Sequence, residues 1–171
     1  MTVPVLIITG PVGVGKTTTA LVAGDLLGEA GISYGVVDLD GLTLCYPPPA
    51  GDPFNSRLGF RNLAAVWRNY AAAGAAHLII ARVVETRDEL DGYRQAVPGA
   101  DITVVRLHAS DEALRGRVLG RKVVTGERYV RRALELARLM DERQIEDHLV
   151  ETSGRTVPDA ARDALRQARW L

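Results

Sequence analysis

Cysteine is almost missing from this sequence. Cys45 stands alone, which excludes an intrachain disulfide and fits a reducing compartment, the cytoplasm. Net charge is missing too, because 21 acidic residues balance 21 basic ones. Such a balance gives no general attraction to nucleic acid or to an anionic membrane. No low-complexity tract, internal repeat or long linker divides the 171 residues. That length suits a single domain, 1–171, with a full core. The opening apolar run is too short to span a bilayer and has no basic flank, so it reads as neither signal peptide nor anchor. His77, His108 and His148 lack metal-ligand spacing, and Cys45 has no recognisable catalytic partner. Lysine is scarce as well, with two copies against nineteen arginines, which reads as a coding bias.

One of the two lysines, Lys16, stands in the stretch Gly10-Pro11-Val12-Gly13-Val14-Gly15-Lys16-Thr17. It fits G-x-x-x-x-G-K-[ST], the phosphate-binding P-loop pattern. The pattern carries weight only where a strand feeds it and a helix leaves it. Val3 to Thr9 is an apolar, β-branched run, as a fully buried parallel strand should be. After Lys16, apolar residues recur at helical spacing up to Gly31, a residue suited to a C-cap. Glycines let the backbone wrap a phosphate with its N–H groups inward, and the following helix presents its positive end. Gly10, Pro11, Val12, Gly13, Val14, Gly15, Lys16, Thr17 and Thr18 are therefore expected to hold a nucleoside triphosphate. Lys16 would reach its β- and γ-phosphates and Thr17 would ligate Mg²⁺. The alternative is a glycine-rich turn between strand and helix.

Further along, Ser33 to Asp38 reads as a second buried strand ending in Asp38-Leu39-Asp40-Gly41. Ligands of open α/β sheets bind at the C-terminal ends of strands. There one acid would serve Mg²⁺ and the other accept a hydroxyl proton, or the pair is simply an Asp-rich turn. Leu42 to Gly59 is irregular, carrying Tyr46, three consecutive prolines and Arg57, and is expected to be a binding loop or stiff connector. A helix over Phe60 to Ala73 carries Arg61 and places Trp67 and Tyr70 toward the core. His77 to Val84 is the third strand. Arg82 interrupts it and requires an anionic partner: Glu85, an aspartate of the pair, or a substrate. A short helix over Asp88 to Ala96 and a strand over Ile102 to Leu107 follow. Ser110-Asp111-Glu112 caps the next helix, which carries Leu114, Arg117, Val118 and Arg121. Gly120 and Gly126 bracket Lys122-Val123-Val124-Thr125 ahead of a helix from Glu127 to Ile145. This basic segment, about 117–132, reads as a short lid over phosphates or as a solvated helical hairpin. A fifth strand, His148 to Thr152, a turn from Ser153 to Pro158 and a helix from Asp159 to Trp170 complete the chain.

Strands alternating with helices predict an α/β fold, a doubly wound five-stranded parallel sheet flanked by helices. The whole resembles the small P-loop kinases of the nucleoside-monophosphate-kinase fold, such as shikimate, gluconate and adenylylsulfate kinases and chloramphenicol phosphotransferase. Asp38-Leu39-Asp40 is similar to their D-x-D, which implies Asp38 for Mg²⁺ and Asp40 as the base. Leu114-x-x-Arg117-Val118-x-x-Arg121 is similar to the start of their lid, which implies Arg117 against adenine and Arg121 over the transferring phosphate. Val150-Glu151-Thr152-Ser153-Gly154 resembles their base loop, which implies backbone contacts from Ser153 and Gly154. The third strand lacks a Walker B aspartate, and Ala81-Arg82-Val83-Val84-Glu85 stands where shikimate kinases have glycines.

The resemblance implies ATP and Mg²⁺ as cofactors, with transfer to a hydroxyl of a small-molecule acceptor. Residues about 42–75 would form the acceptor-binding region, and Asp40, Tyr46, Arg57, Arg61 and Arg82 would contact the acceptor. A nucleoside, a sugar acid and a hydroxylated antibiotic all fit such a list, and the oligomeric state is left open. A GTPase-like switch is the first rival, since Asp38-Leu39-Asp40-Gly41 also satisfies D-x-x-G, but no N-K-x-D occurs. A nucleotide sensor without transferase activity is the second.

Overall fold

The computed structural model describes residues 2–122 and 125–171; Val123 and Val124 of the expected lid lie outside them. Its strands are β1 (Val3–Thr9), β2 (Tyr34–Asp38), β3 (His77–Ala81), β4 (Ala100–His108) and β5 (His148–Glu151). The helices are α1 (Lys16–Glu29), α2 (Ser56–Ala72), α3 (Leu90–Ala96), α4 (Asp111–Leu119), α5 (Glu127–Arg143) and α6 (Val157–Gln167). The strands form one parallel sheet in the order β2-β3-β1-β4-β5, as the alternation of elements predicted.

The apolar run of β1 has a direct physical cause, because this central strand is covered on both faces. Val5 and Ile7 pack with Leu63 and Trp67 of α2 and Leu90 and Tyr93 of α3. Leu6 and Ile8 pack with Ala20, Ala23 and Leu27 of α1, Leu114 of α4, and Ala161 and Leu165 of α6. Successive side chains point to opposite faces, so a strand buried on both sides shows no polar alternation. The C-terminal strand ends and the N-termini of α1 and α2 consequently open on one edge.

Several boundaries differ from the sequence reading, each for a local reason. Helix α2 starts at Ser56, one turn before Phe60, because the Asp52 carboxylate accepts from the amides of Ser56 (2.8 Å) and Leu58 (3.0 Å). The irregular loop is thereby shortened, and a 3₁₀ turn, Gly41–Thr43, occupies its start. Strand β3 stops at Ala81, since the Val84 amide turns to donate to Thr9 Oγ1 at 2.9 Å. Helix α3 is led by a 3₁₀ turn, Arg87–Glu89, held by a capping box of Thr86 and Glu89. Helix α5 ends at Arg143, with Gln144 left-handed. Helix α6 begins at Val157 behind the cap Thr156, with Pro158 in its first turn, where proline is tolerated.

Arg106 on β4 escaped the sequence reading. It is only 4% exposed and bonds Asp141 at 2.7 Å and Glu146 at 2.9 Å. Glu146 is itself 10% exposed, so removing the arginine strands a carboxylate in the core. Arg106→Met is expected to lose about 3–5 kcal/mol of stability, read as a lower urea midpoint. Glu146→Gln in the same background should restore part of it.

Candidate active site

The loop between β1 and α1 has the shape that its glycines permit. Gly10, Gly13 and Gly15 all take positive φ, at 143°, 85° and 105°. Space is restrictive as well: a Cβ on Gly10 would lie 2.6 Å from the Leu107 carbonyl oxygen, and one on Gly13 would lie 2.6 Å from Val118 Cγ2. The loop is thus wedged between β4 and α4, while Val14 is buried in the core and Val12 packs on Val118 and Val130. Lys16 folds back so that its ammonium donates to the Pro11 carbonyl at 3.2 Å. Burial draws its pKa from 10.5 down to about 8, against the raising effect of Asp40 and Asp38, and Arg121 lowers it further. The four charges therefore act within one electrostatic neighbourhood.

The two acids leave β2 on either side of a core residue. Leu39 is fully buried, and its amide donates to the Ala81 carbonyl at 3.1 Å. Asp38 accepts from Thr17 Oγ1 at 2.7 Å and from the Asp40 amide at 3.1 Å. Thr17 and Asp38, the residues expected to serve Mg²⁺, are thus in contact across the loop. One hydroxyl and one carboxylate suit a cation that keeps most of its waters and takes phosphate oxygens. No cluster of three or more His, Cys, Asp or Glu occurs among the described residues. The Asp40 carboxylate makes no hydrogen bond there and is exposed, while its carbonyl accepts from Thr43 Oγ1 at 2.8 Å.

On the other side of the loop lies a cavity of about 340 Å³, lined among others by Gly15, Thr18, Arg117, Thr152, Arg155 and Val157. Arg117 crosses its wall, donating to the Val14 carbonyl (3.1 Å), Thr152 Oγ1 (2.8 Å) and the Thr152 carbonyl (2.8 Å). Ser153 and Gly154, expected here, do not line this cavity. Ser153 Oγ accepts from the Ser110 amide at 2.9 Å, and its own amide donates to Glu151 at 2.7 Å. Thr152, Arg155, Thr156 and Val157 line the cavity instead; Thr152 belongs to the stretch read as the base loop, and Thr156 is the cap of α6. If the cavity takes the nucleotide, Arg117→Ala should weaken its binding by about tenfold or more, measured by calorimetry. It removes both a cavity wall and the tie that holds β5 to the phosphate loop.

The remaining expected residues are dispersed. Tyr46 is 94% exposed. Arg57, bonded to the Gly51 carbonyl, shares with Arg61 a separate cavity of about 310 Å³ beside Pro49 and Asp52. Arg82 does not pair with Glu85, which faces Arg132 at 3.7 Å and Arg143 at 3.4 Å. Trp67 is core as expected, and Tyr70 packs beside it. In the segment expected to form a lid, Arg121 bonds through its amide to the Val118 carbonyl, and Thr125 Oγ1 donates to the same carbonyl at 2.8 Å. Among the described residues no helix is long and apolar enough to cross a membrane.

No family model matches the chain, and neither does any curated protein. Solved structures do match. The tunicamycin resistance protein of Deinococcus radiodurans is 20% identical at a TM-score of 0.70, covering 96% of this chain and 95% of its own. The shikimate kinase of Acinetobacter baumannii, solved with shikimate, is 22% identical at 0.59, covering 96% and 92%. The APS kinase of Mycobacterium tuberculosis, solved with AMPPNP and APS, is 17% identical at 0.61, covering 98% of each chain. The chain shares the fold of these P-loop kinases over nearly its whole length.

Proposed function

We propose that this protein is an ATP- and Mg²⁺-dependent phosphotransferase acting on a hydroxyl of a small molecule. One observation carries the reading: the exposed Asp40 carboxylate, without a hydrogen bond among the described residues, stands two positions beyond the Asp38 that bonds Thr17, within electrostatic reach of Lys16. A switch or sensor needs to hold phosphates but has no use for a free carboxylate at that place. The solved relatives include proteins named as sugar and shikimate kinases, whose acceptors carry hydroxyl groups.

In the proposed reaction, the phosphate loop and Lys16 hold the triphosphate, and Arg117 with Thr152 bounds the base. Mg²⁺, held by Thr17 and Asp38, would neutralise phosphate charge. Asp40 orients the acceptor hydroxyl and takes its proton as that oxygen bonds to the γ-phosphorus. The bond from phosphorus to the β-bridging oxygen breaks, and ADP retains the electron pair. Lys16 and Arg121 offset the charge spread over the transferring group. Catalysis of this kind is mostly positioning, so the chain needs no nucleophile of its own. Arg57, Arg61, Arg82 and Tyr46, dispersed in the free protein, are the groups proposed to meet the rest of the molecule.

The test is a mass-spectrometric screen of protein and Mg·ATP against pooled nucleosides, sugar acids and hydroxylated antibiotics. A product heavier by one phosphoryl group, absent with Asp40→Asn, supports the reading. ATP binding without any such product would favour the sensor.

A further inference from the structure

Among the buried polar atoms without a partner in the described residues, two lie near the proposed base: Nη1 of Arg82 and the hydroxyl of Tyr93. Their surroundings bring them to one place. Arg82 follows β3 directly, its amide donating to the Ile8 carbonyl at 3.2 Å, so its side chain starts at the ligand-binding edge of the sheet. The guanidinium ends against the first turn of α2. A Cβ on Gly59 would lie 3.5 Å from Nη1, 2.6 Å from Thr43 Cγ2 and 3.9 Å from Leu39 Cδ1. Thr43 bonds the Asp40 carbonyl, so the arginine reaches the turn that bears the proposed base. Tyr93 lies edge-on to Phe60, the residue after Gly59, with ring centres 4.9 Å apart. Burial pushes its phenol far above the ordinary range; Arg82 opposes that shift, while Glu89 and Asp40 add to it. The phenol therefore remains a neutral donor.

Among the described residues no acid bonds Arg82: Asp40, on the turn it reaches, makes no side-chain hydrogen bond, and three others are engaged elsewhere. Glu85 faces Arg132 and Arg143, and Asp38 is bonded to Thr17. Glu89 accepts from the amides of Glu85 and Thr86. Buried donors in folded proteins are almost always satisfied, and each exception calls for a reason. A fixed fork of N–H groups beside a neutral hydroxyl matches one planar, singly charged anion. Asp40 and Glu89 nearby disfavour a doubly charged one.

We propose that Arg82 and Tyr93 form a carboxylate subsite, and that the acceptor is a hydroxy acid whose hydroxyl faces Asp40. This rests on the phosphotransferase reading only for the fate of the hydroxyl. Both donor atoms are covered, so admitting the carboxylate requires the turn at Thr43 to shift. The loop beyond it buries little, with Leu44 and Phe54 86% and 83% exposed. Its ties near Thr43 include the bonds of the Asn55 side-chain amide to the Thr43 (2.8 Å) and Cys45 (3.0 Å) carbonyls and that of Asn62 to Leu42 (2.7 Å).

The test measures binding and transfer separately. Gluconate, shikimate and 4-hydroxybenzoate, each beside its primary amide, are titrated into the protein with Mg·AMPPNP and followed by calorimetry. The wild type should bind at least one acid about tenfold more tightly than its amide. Arg82→Lys, which keeps the charge but loses the fork, should abolish that preference, and Tyr93→Phe should reduce it. Unchanged melting of Arg82→Lys would show that the fold survives. An amide bound as well as its acid, acid binding indifferent to Arg82→Lys, or no acid bound at all would each overturn the subsite. Arg82 acting on Asp40 alone would also overturn it, and would appear as a kcat loss shared by acid and amide with affinity unchanged. Binding that depends on Arg82 but never yields a phosphorylated product with Mg·ATP would leave the subsite standing and remove the phosphotransferase reading instead.

Discussion

Asp40→Asn is expected to lower turnover by about 10²–10⁴-fold, with ATP affinity at pH 7 nearly unchanged. The amide keeps the size and the hydrogen-bonding reach of the acid but cannot accept the hydroxyl proton. The choice of pH matters, because Asp40 is the largest of the charges that raise the pKa of Lys16. Without it, Lys16 titrates below its present value of about 8, so an assay at pH 8 would mix lost base catalysis with a discharged lysine. Steady-state kinetics at pH 7 separates the two. Equal kcat in variant and wild type would remove Asp40 from the chemistry.

The second large effect concerns Lys16 itself. Lys16→Met should abolish detectable transfer and most of the stabilisation that Mg·ATP gives in a melting experiment. Its pH dependence is more particular. In the free protein Lys16 loses its proton near pH 8, whereas bound phosphates favour the charged form. Binding above pH 8 therefore takes up a proton, and affinity should fall by up to about tenfold per pH unit. Stability without nucleotide runs the other way. The folded pKa lies below the unfolded 10.5, so burial of the charged amine costs stability below pH 8. That cost fades as pH rises from 8 to 10.5, where the unfolded chain holds more protons. Lys16→Met should lack this rise and be no less stable than the wild type at pH 7. A flat affinity profile between pH 7 and 9 would contradict the buried-lysine account.

What the sequence made legible were features written in short spacing. The phosphate loop needs its glycines, lysine and threonine within eight consecutive positions, and D-x-D needs an alternation of two, so both can be read without knowing the fold. Strand β1 was legible because burial on both faces leaves a continuous apolar run. Arg117 was found through its spacing, but its partners, Val14 and Thr152, lie far away in the chain. Arg155 and Val157 were not singled out because a cavity wall is assembled from several elements and leaves no periodic trace. Tyr93 was invisible for the same reason: a tyrosine in a short amphipathic helix reads as core, and only the missing hydrogen-bond partner sets it apart. The start of α2 was misjudged because the Asp52 cap lies behind a proline-rich run that looks irregular.

Leu39 ties chemistry to packing. The residue that sets the separation of Asp38 and Asp40 is a fully buried leucine in the same core as Leu63 and Trp67. Any drift in the volume of that core moves the two carboxylates relative to each other. Mutational tolerance at Leu39 should accordingly be narrower than at Leu63, although both are equally buried. In an unbiased substitution library selected first for folding and then for activity, Leu39 would pass the first selection in variants that the second removes.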